Sequence, residues 1–153
     1  MPMANLFNQD FIEFIDALNQ ENVEYILVGG YAVILHGYTR STADMDVWVN
    51  KTPENYLKLS KAYKRFGAPI FSESEFIESK NDVWGIGMEP FRIEILNQIK
   101  GVGFNEAYGL CQSFIQENVE VKYIHLKHLL QAKAAAGRYK DKDDIEQLTN
   151  KNS

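Results

Sequence analysis

Two aspartates, Asp44 and Asp46, stand two positions apart around Met45–Val49, where apolar residues alternate with others and predict a strand. On a strand, residues two apart share a side, so both carboxylates point the same way, roughly 6.5–7 Å apart at the backbone. Met45, Val47 and Val49 then face the core. Carboxylates held side by side repel and raise one another's pKa unless a cation lies between them. Oxygen-only ligation of that kind suits Mg²⁺, which also keeps several waters and binds substrate phosphates. Glu94 supplies a third acid, in the middle of an apolar run between Ile93 and Ile95 and on the side away from the core. Three acids allow two Mg²⁺ ions roughly 3.5–4 Å apart, an arrangement that stabilises both attacking and leaving oxygens in phosphoryl transfer. Asp44, Asp46 and Glu94 are therefore the candidate catalytic and metal-binding set.

Upstream, Gly29-Gly30 stands where a predicted strand gives way to a short helix. Glycines there let the backbone approach a ligand closely, and a helix start offers free N–H groups to phosphate. Arg40 is the only base in the first fifty residues and lies four positions before Asp44, placed to meet phosphate or to balance the acids. Each feature alone also has a plain structural explanation. A glycine pair makes a tight turn, an Asp-x-Asp strand is commonly a solvated edge, and Glu94 can pair with Arg92 or Lys100. Their joint order is what points to chemistry.

The surrounding elements must position these groups. Residues 5–19 carry Phe7, Phe11, Phe14, Ile15 and Leu18 at helical spacing. Residues 23–28 are branched and aromatic, a buried strand stopped by the glycines. Residues 31–36 resume as a short helix that Gly37 ends. Thr52-Pro53 opens another helix, with a threonine cap and proline in the first turn, running to Gly67. Residues 83–88 and 91–96 predict a hairpin around Glu89-Pro90, with Phe91, Ile93 and Ile95 on one face and Arg92 and Glu94 on the other. Residues 119–124 form a strand, and Leu126–Ala136 and residues 141–148 form helices joined near Gly137. The order α-β-α-β-α-β-β-α-β-α-α predicts an α/β (α+β) fold, a small mixed sheet with helices packed on it and a C-terminal helical pair.

Length and composition agree. The 153 residues are 45% hydrophobic and 24% charged, without repeats or a linker, which predicts a single domain over residues 1–153. No stretch has the roughly 18 uncharged apolar residues of a membrane span, and Met1 to Asp10 lacks a signal-peptide pattern. The single Cys111 suits a reducing compartment, so a cytoplasmic protein without membrane association is expected. Net charge is −5, with −6 in residues 1–50, −2 in 51–121 and +3 in 122–153. That distribution argues against a long grip on a nucleic-acid backbone and leaves a local contact by the basic C-terminal segment open.

The run VGGYAVILHGYTRSTADMDVWV resembles the nucleotidyltransferase signature of the DNA polymerase beta superfamily. FRIEIL resembles the strand that carries the third metal-binding acid there. The tail IHLKHLLQAKAAAGRYKDKDDIEQL is similar to the helical ending of abortive-infection type nucleotidyltransferase toxins, and GGYA with RSTADMDV to lincosamide-type and aminoglycoside nucleotidyltransferases. The resemblance covers roughly residues 24–148. It implies that Gly29 and Gly30 form the phosphate-binding turn, that Asp44 and Asp46 bind Mg²⁺, and that Glu94 is the third ligand or the base for an acceptor hydroxyl. It implies that Lys133 reaches the triphosphate and that Asp141 or Asp144 supports the acceptor side. Tyr31 departs from the pattern, standing where many members have serine or threonine and lacking a short phosphate contact.

The expected activity is Mg²⁺-dependent transfer of a nucleoside monophosphate from an NTP, ATP included, to a hydroxyl acceptor. Small molecule, tRNA and protein acceptors all remain open, as does a cognate antitoxin as partner. The alternative is a catalytically silent nucleotide- or protein-binding module of a toxin–antitoxin pair. Lys133 is expected on the exposed side of its helix, opposite the apolar stripe but facing the glycine turn. The mixed charges of residues 133–144 suggest a solvated, salt-bridged helix pair. His36 suits a helix end or the core, Trp48 and Trp84 suit packing, and His125 with His128 lacks the further ligand zinc needs. Cys111 is expected in a helix as a buried packing residue.

Overall fold

The computed structural model describes residues 6–80 and 82–153. Asn8 accepts the Phe11 amide and starts α1 (Gln9–Gln20), which buries Phe11, Phe14, Ile15 and Leu18 along one stripe. The expected start at Asn5 lies outside the described residues. β1 (Tyr25–Val28) runs straight into α2 (Gly29–Leu35), so the glycines form the first turn of the helix instead of a separate loop. A loop then leads to β2 (Met45–Val49). Thr52 caps α3 (Pro53–Phe66) by accepting the Asn55 amide, and Gly67 closes it in the left-handed conformation.

Two elements were not legible in the pattern. α4 (Glu73–Glu78) is a short helix capped by Ser72 that buries only Phe76, and β5 (Gln112–Gln116) is a mostly exposed edge strand. Neither carries a strong apolar period. β3 (Val83–Ile86) and β4 (Ile93–Leu96) form the expected hairpin, shorter than predicted at both sides of the turn. Phe91 is a correction: it precedes β4 and is 58% exposed, so it is not part of the core face. α5 (Phe104–Leu110) ends at Cys111, which is a half-buried helix cap and not a buried helical residue. β6 (Val119–Tyr123), α6 (Leu126–Ala136) and α7 (Tyr139–Lys151) complete the chain.

The six strands make one mixed sheet in the order β3-β4-β2-β1-β6-β5. β1 pairs antiparallel with β2 and parallel with β6, and β2 pairs parallel with β4. Strand alternation divides the apolar residues between the two faces. Tyr25, Leu27, Met45, Val47, Ile93 and Ile95 pack with α1 and α3, whereas Ile26, Val28 and Trp48 pack with residues of α5, α6 and α7. Asp46 has the parity of Trp48 and therefore faces the second layer. No helix among the described residues is long and apolar enough to cross a membrane.

Candidate active site

β2 and β4 are parallel neighbours, and their register sets Asp46 opposite Glu94. The two carboxyl groups are hydrogen-bonded to each other. On the other side β1 sets Val28 opposite Asp46, and Gly29 follows it at φ +70°. A Cβ on Gly29 would overlap Asp46 Oδ2, and one on Gly30 would overlap Thr42 Oγ1. Only glycine allows both the conformation and the approach at residue 29. Strand pairing and the glycine turn thus press a carboxylate against the opening of α2.

Burial, followed by the charges of Glu94 and Asp44, pushes the Asp46 carboxyl up to about 7. Asp44 sits one residue ahead of β2 and turns Oδ1 to accept the Arg92 amide at 3.2 Å. Glu89, in the hairpin turn, is also hydrogen-bonded to Asp44, and desolvation and that bond raise its pKa. Arg92 Nε lies 3.8 Å from Glu94 Oε2, with its guanidinium lying where a Cβ on Gly85 would stand. Among the described residues no three His, Cys, Asp or Glu side chains are gathered as a ready ion cage. Asp46 and Glu94 are paired, while Asp44 leans toward the hairpin. The donor chemistry nevertheless fits Mg²⁺: every donor is a hard oxygen, and the two paired acids repel unless a proton or a cation lies between them.

A family model described as a nucleotidyltransferase of unknown function (DUF6036) matches residues 6–151. The chain belongs to that family. No curated protein matches it by sequence. Its fold is similar to that of a candidate nucleotidyltransferase from Thermotoga maritima, at a TM-score of 0.60 and 16% identity over 92% of this chain and 90% of that one. It is similar in the same degree, 0.60 and 16%, to the lincosamide antibiotic adenylyltransferase LnuA with lincomycin bound, over 94% of this chain and 96% of that one.

The other wall of the candidate site comes from the C-terminal helices. A cleft of about 290 Å³ is lined by Gly29 and Asp46 on the sheet side and by Lys133, Arg138 and Asp141 on the helix side. Lys133 therefore shares a cleft with the glycine turn, but it is not exposed. It is 7% exposed, because position 133 is one helical turn from buried Leu129 and lies on the same stripe. The solvated helix pair is corrected likewise. Asp141 and Asp144 are 0% and 2% exposed, and Lys133 Nζ sits 3.4 Å from Asp141 Oδ1 and 3.0 Å from Asp144 Oδ2. Burial alone would raise the Asp141 carboxyl, but hydrogen bonds from Arg138 and the nearby positive charges outweigh it and hold it below its usual range. Arg40 neither stands free nor reaches the three acids of the sheet; its Nε lies 3.2 Å from Asp144 Oδ1.

Several flanking residues gave no signal in the sequence. Thr42 sets a hydroxyl against Gly30, Glu89 meets Asp44, and Arg138 holds Asp141 through its backbone and side chain. Each lies in a loop or at a helix start, where no periodicity marks a residue. Tyr31 is buried and packs its ring 5.0 Å from Phe7 and 5.7 Å from Phe11, so it serves the core. His36 ends α2 with Nε2 2.7 Å from the Ile124 carbonyl, and burial lowers its pKa.

Proposed function

We propose that this nucleotidyltransferase moves a nucleoside monophosphate from an NTP to an acceptor hydroxyl. The observation that carries this is the placement of Asp46, pressed against Gly29 on one side and paired with Glu94 on the other. Phosphate backed onto Gly29 and Gly30 would come to rest beside those carboxylates, with Lys133 and Arg138 across the same cleft. The acceptor oxygen bonds to the α-phosphorus, the bond from that phosphorus to the β-phosphate bridging oxygen breaks, and pyrophosphate leaves. Glu94 receives the proton of the acceptor hydroxyl, its partner Asp46 holding it in line. Lys133 and Arg40 offset charge on the polyphosphate. Mg²⁺, held by Asp44, Asp46 and Glu94 and present as two ions with the triphosphate, would neutralise the reacting phosphate.

Asp46→Asn tests this, because it preserves shape and removes one of the repelling charges. Transfer from α-labelled NTP should be lost, while the melting temperature without metal is kept or slightly raised. Cell lysate, tRNA, and aminoglycoside and lincosamide panels serve as acceptors, with each of the four NTPs and Mg²⁺ or Mn²⁺. Wild-type protein that labels nothing yet binds a nucleotide or a protein partner would instead support a silent binding module, such as one half of a toxin–antitoxin pair.

A further inference from the structure

On the helix side of the cleft, three cations share two buried carboxylates. Asp141 takes Arg138 Nε at 2.6 Å and Lys133 Nζ at 3.4 Å. Asp144 takes Lys133 Nζ at 3.0 Å, Arg40 Nε at 3.2 Å and Arg40 Nη2 at 3.3 Å. The cluster therefore keeps one positive charge in excess, with its carboxylates and Lys133 buried and Arg138 reaching solvent. Two of its bases come from different elements: Arg40 from the loop between α2 and β2, Lys133 from α6. Among the described residues only Asp144 is ion-paired with both. Arg40 Nη2 also lies 3.5 Å from where a Cβ on Gly30 would stand, so the guanidinium is held against the turn itself.

We propose that Asp144 is a positioning residue that locks Arg40 and Lys133 together as one cationic clamp for a polyphosphate lying on the Gly29–Gly30 turn. The donor count leaves room for that anion. Arg40 has five N–H donors, and its Nε, though ion-paired, makes no well-directed hydrogen bond. Lys133 has three donors and two carboxylate partners. Asp144 itself is unsuited to meet an acceptor hydroxyl, because it is 2% exposed and its carboxylate oxygens are taken up by Lys133 and Arg40. The loop is fastened to α7 at two further points, Tyr38 OH to Asp143 Oδ2 at 3.0 Å and Asn152 Nδ2 to the His36 carbonyl at 3.0 Å. α7 thus works as a strut behind the loop that carries Arg40, Thr42 and Asp44.

The inference rests on the nucleotide-transfer reading only in naming polyphosphate as the anion, so its test uses inorganic triphosphate, whose binding is measured calorimetrically without any transfer. Asp144→Asn should weaken triphosphate binding about tenfold, the loss expected for a displaced charge-assisted contact. Asp144→Glu should recover part of that loss. In transfer assays the NTP KM should rise by a larger factor than kcat falls. Arg40→Ala should weaken triphosphate by itself, and adding Asp144→Asn to it should cost less than the two single effects combined, because one acts through the other. Arg40→Ala leaves Asp144 paired with Lys133, so it keeps the test decisive where Asp144→Asn fails to fold. Unchanged triphosphate affinity in Arg40→Ala, or in a folded Asp144→Asn that has lost transfer, overturns the proposal, as does wild-type protein that binds no triphosphate. Wild type that binds triphosphate through Arg40 and Asp144 but labels no acceptor supports the clamp and sinks the transferase reading alone.

Discussion

Gly29 is the residue at which backbone and chemistry meet. Its φ of +70° disfavours any side chain, and a Cβ would drive into Asp46 Oδ2. Gly29→Ala should therefore cost about 1–3 kcal/mol in urea unfolding through backbone strain and displace the Asp46 carboxylate, so that transfer falls even where the fold survives. An alanine variant with wild-type stability and transfer would show that the close approach is dispensable. Asp46 makes a second prediction. Its carboxyl titrates near 7 in the folded chain against a usual 3.8, so the folded state binds the proton more tightly than the unfolded. That contribution is fully present below the unfolded value and is lost as pH rises through the folded one. Metal-free protein should lose melting temperature between about pH 5 and pH 8, and Asp46→Asn should flatten that slope. Mg²⁺ should raise the melting temperature more at the higher pH, where the ionised pair can hold it. A slope unaltered by Asp46→Asn would place the titrating group elsewhere.

At the scale of elements, the α6–α7 pair turns a buried, charged stripe inward while its outer face stays solvated. Lys133 lies between Asp141 and Asp144, all three buried, so removing it strands two carboxylates with only Arg40 and Arg138 to balance them. Lys133→Met, which keeps most of the side-chain volume, should cost about 3 kcal/mol by urea unfolding. Little change would mean that the carboxylates find other partners. Leu148 is fully buried and anchors α7 in the layer with Trp48 and Leu129. Leu148→Ala should cost about 2–5 kcal/mol through the cavity it leaves, and it should loosen the strut behind the loop, raising the NTP KM as well.

Across the whole molecule, stability should grade from the middle of the sheet to its edges. β1 and β2 have strand neighbours on both sides and helices over both faces, whereas β3 and β5 each have one open edge. Hydrogen exchange should accordingly be slowest in β1 and β2 and faster in β3 and β5. That places Gly29 and Asp46 on the most rigid part of the chain, and Glu89 and Arg92 on the hairpin that opens most readily. Equal protection across all six strands would contradict this gradient. The arrangement suits a site whose chemical groups must hold still while its rim admits an acceptor.

The sequence by itself determined the local elements that carry strong periodicity, the strand–glycine–helix opening and the Asp44–Asp46 spacing, because strand and helix geometry act over neighbouring residues. It also marked Glu94 as an acid in an apolar strand. Pairing of Asp46 with Glu94 was decided by the parallel β2–β4 register, 48 positions apart in the chain. The edge strand β5 and the short α4 were hidden because neither buries a full apolar stripe. Lys133, Asp141 and Asp144 looked like surface charges because their types and spacing suit a solvated helix. Their burial goes with mutual pairing and with partners from elsewhere, Arg40 giving Asp144 a second cation from about a hundred residues away. Charge is cheap to place on a surface and costly to bury, so whether a charged residue lies inside is settled by partners that only the folded chain brings together.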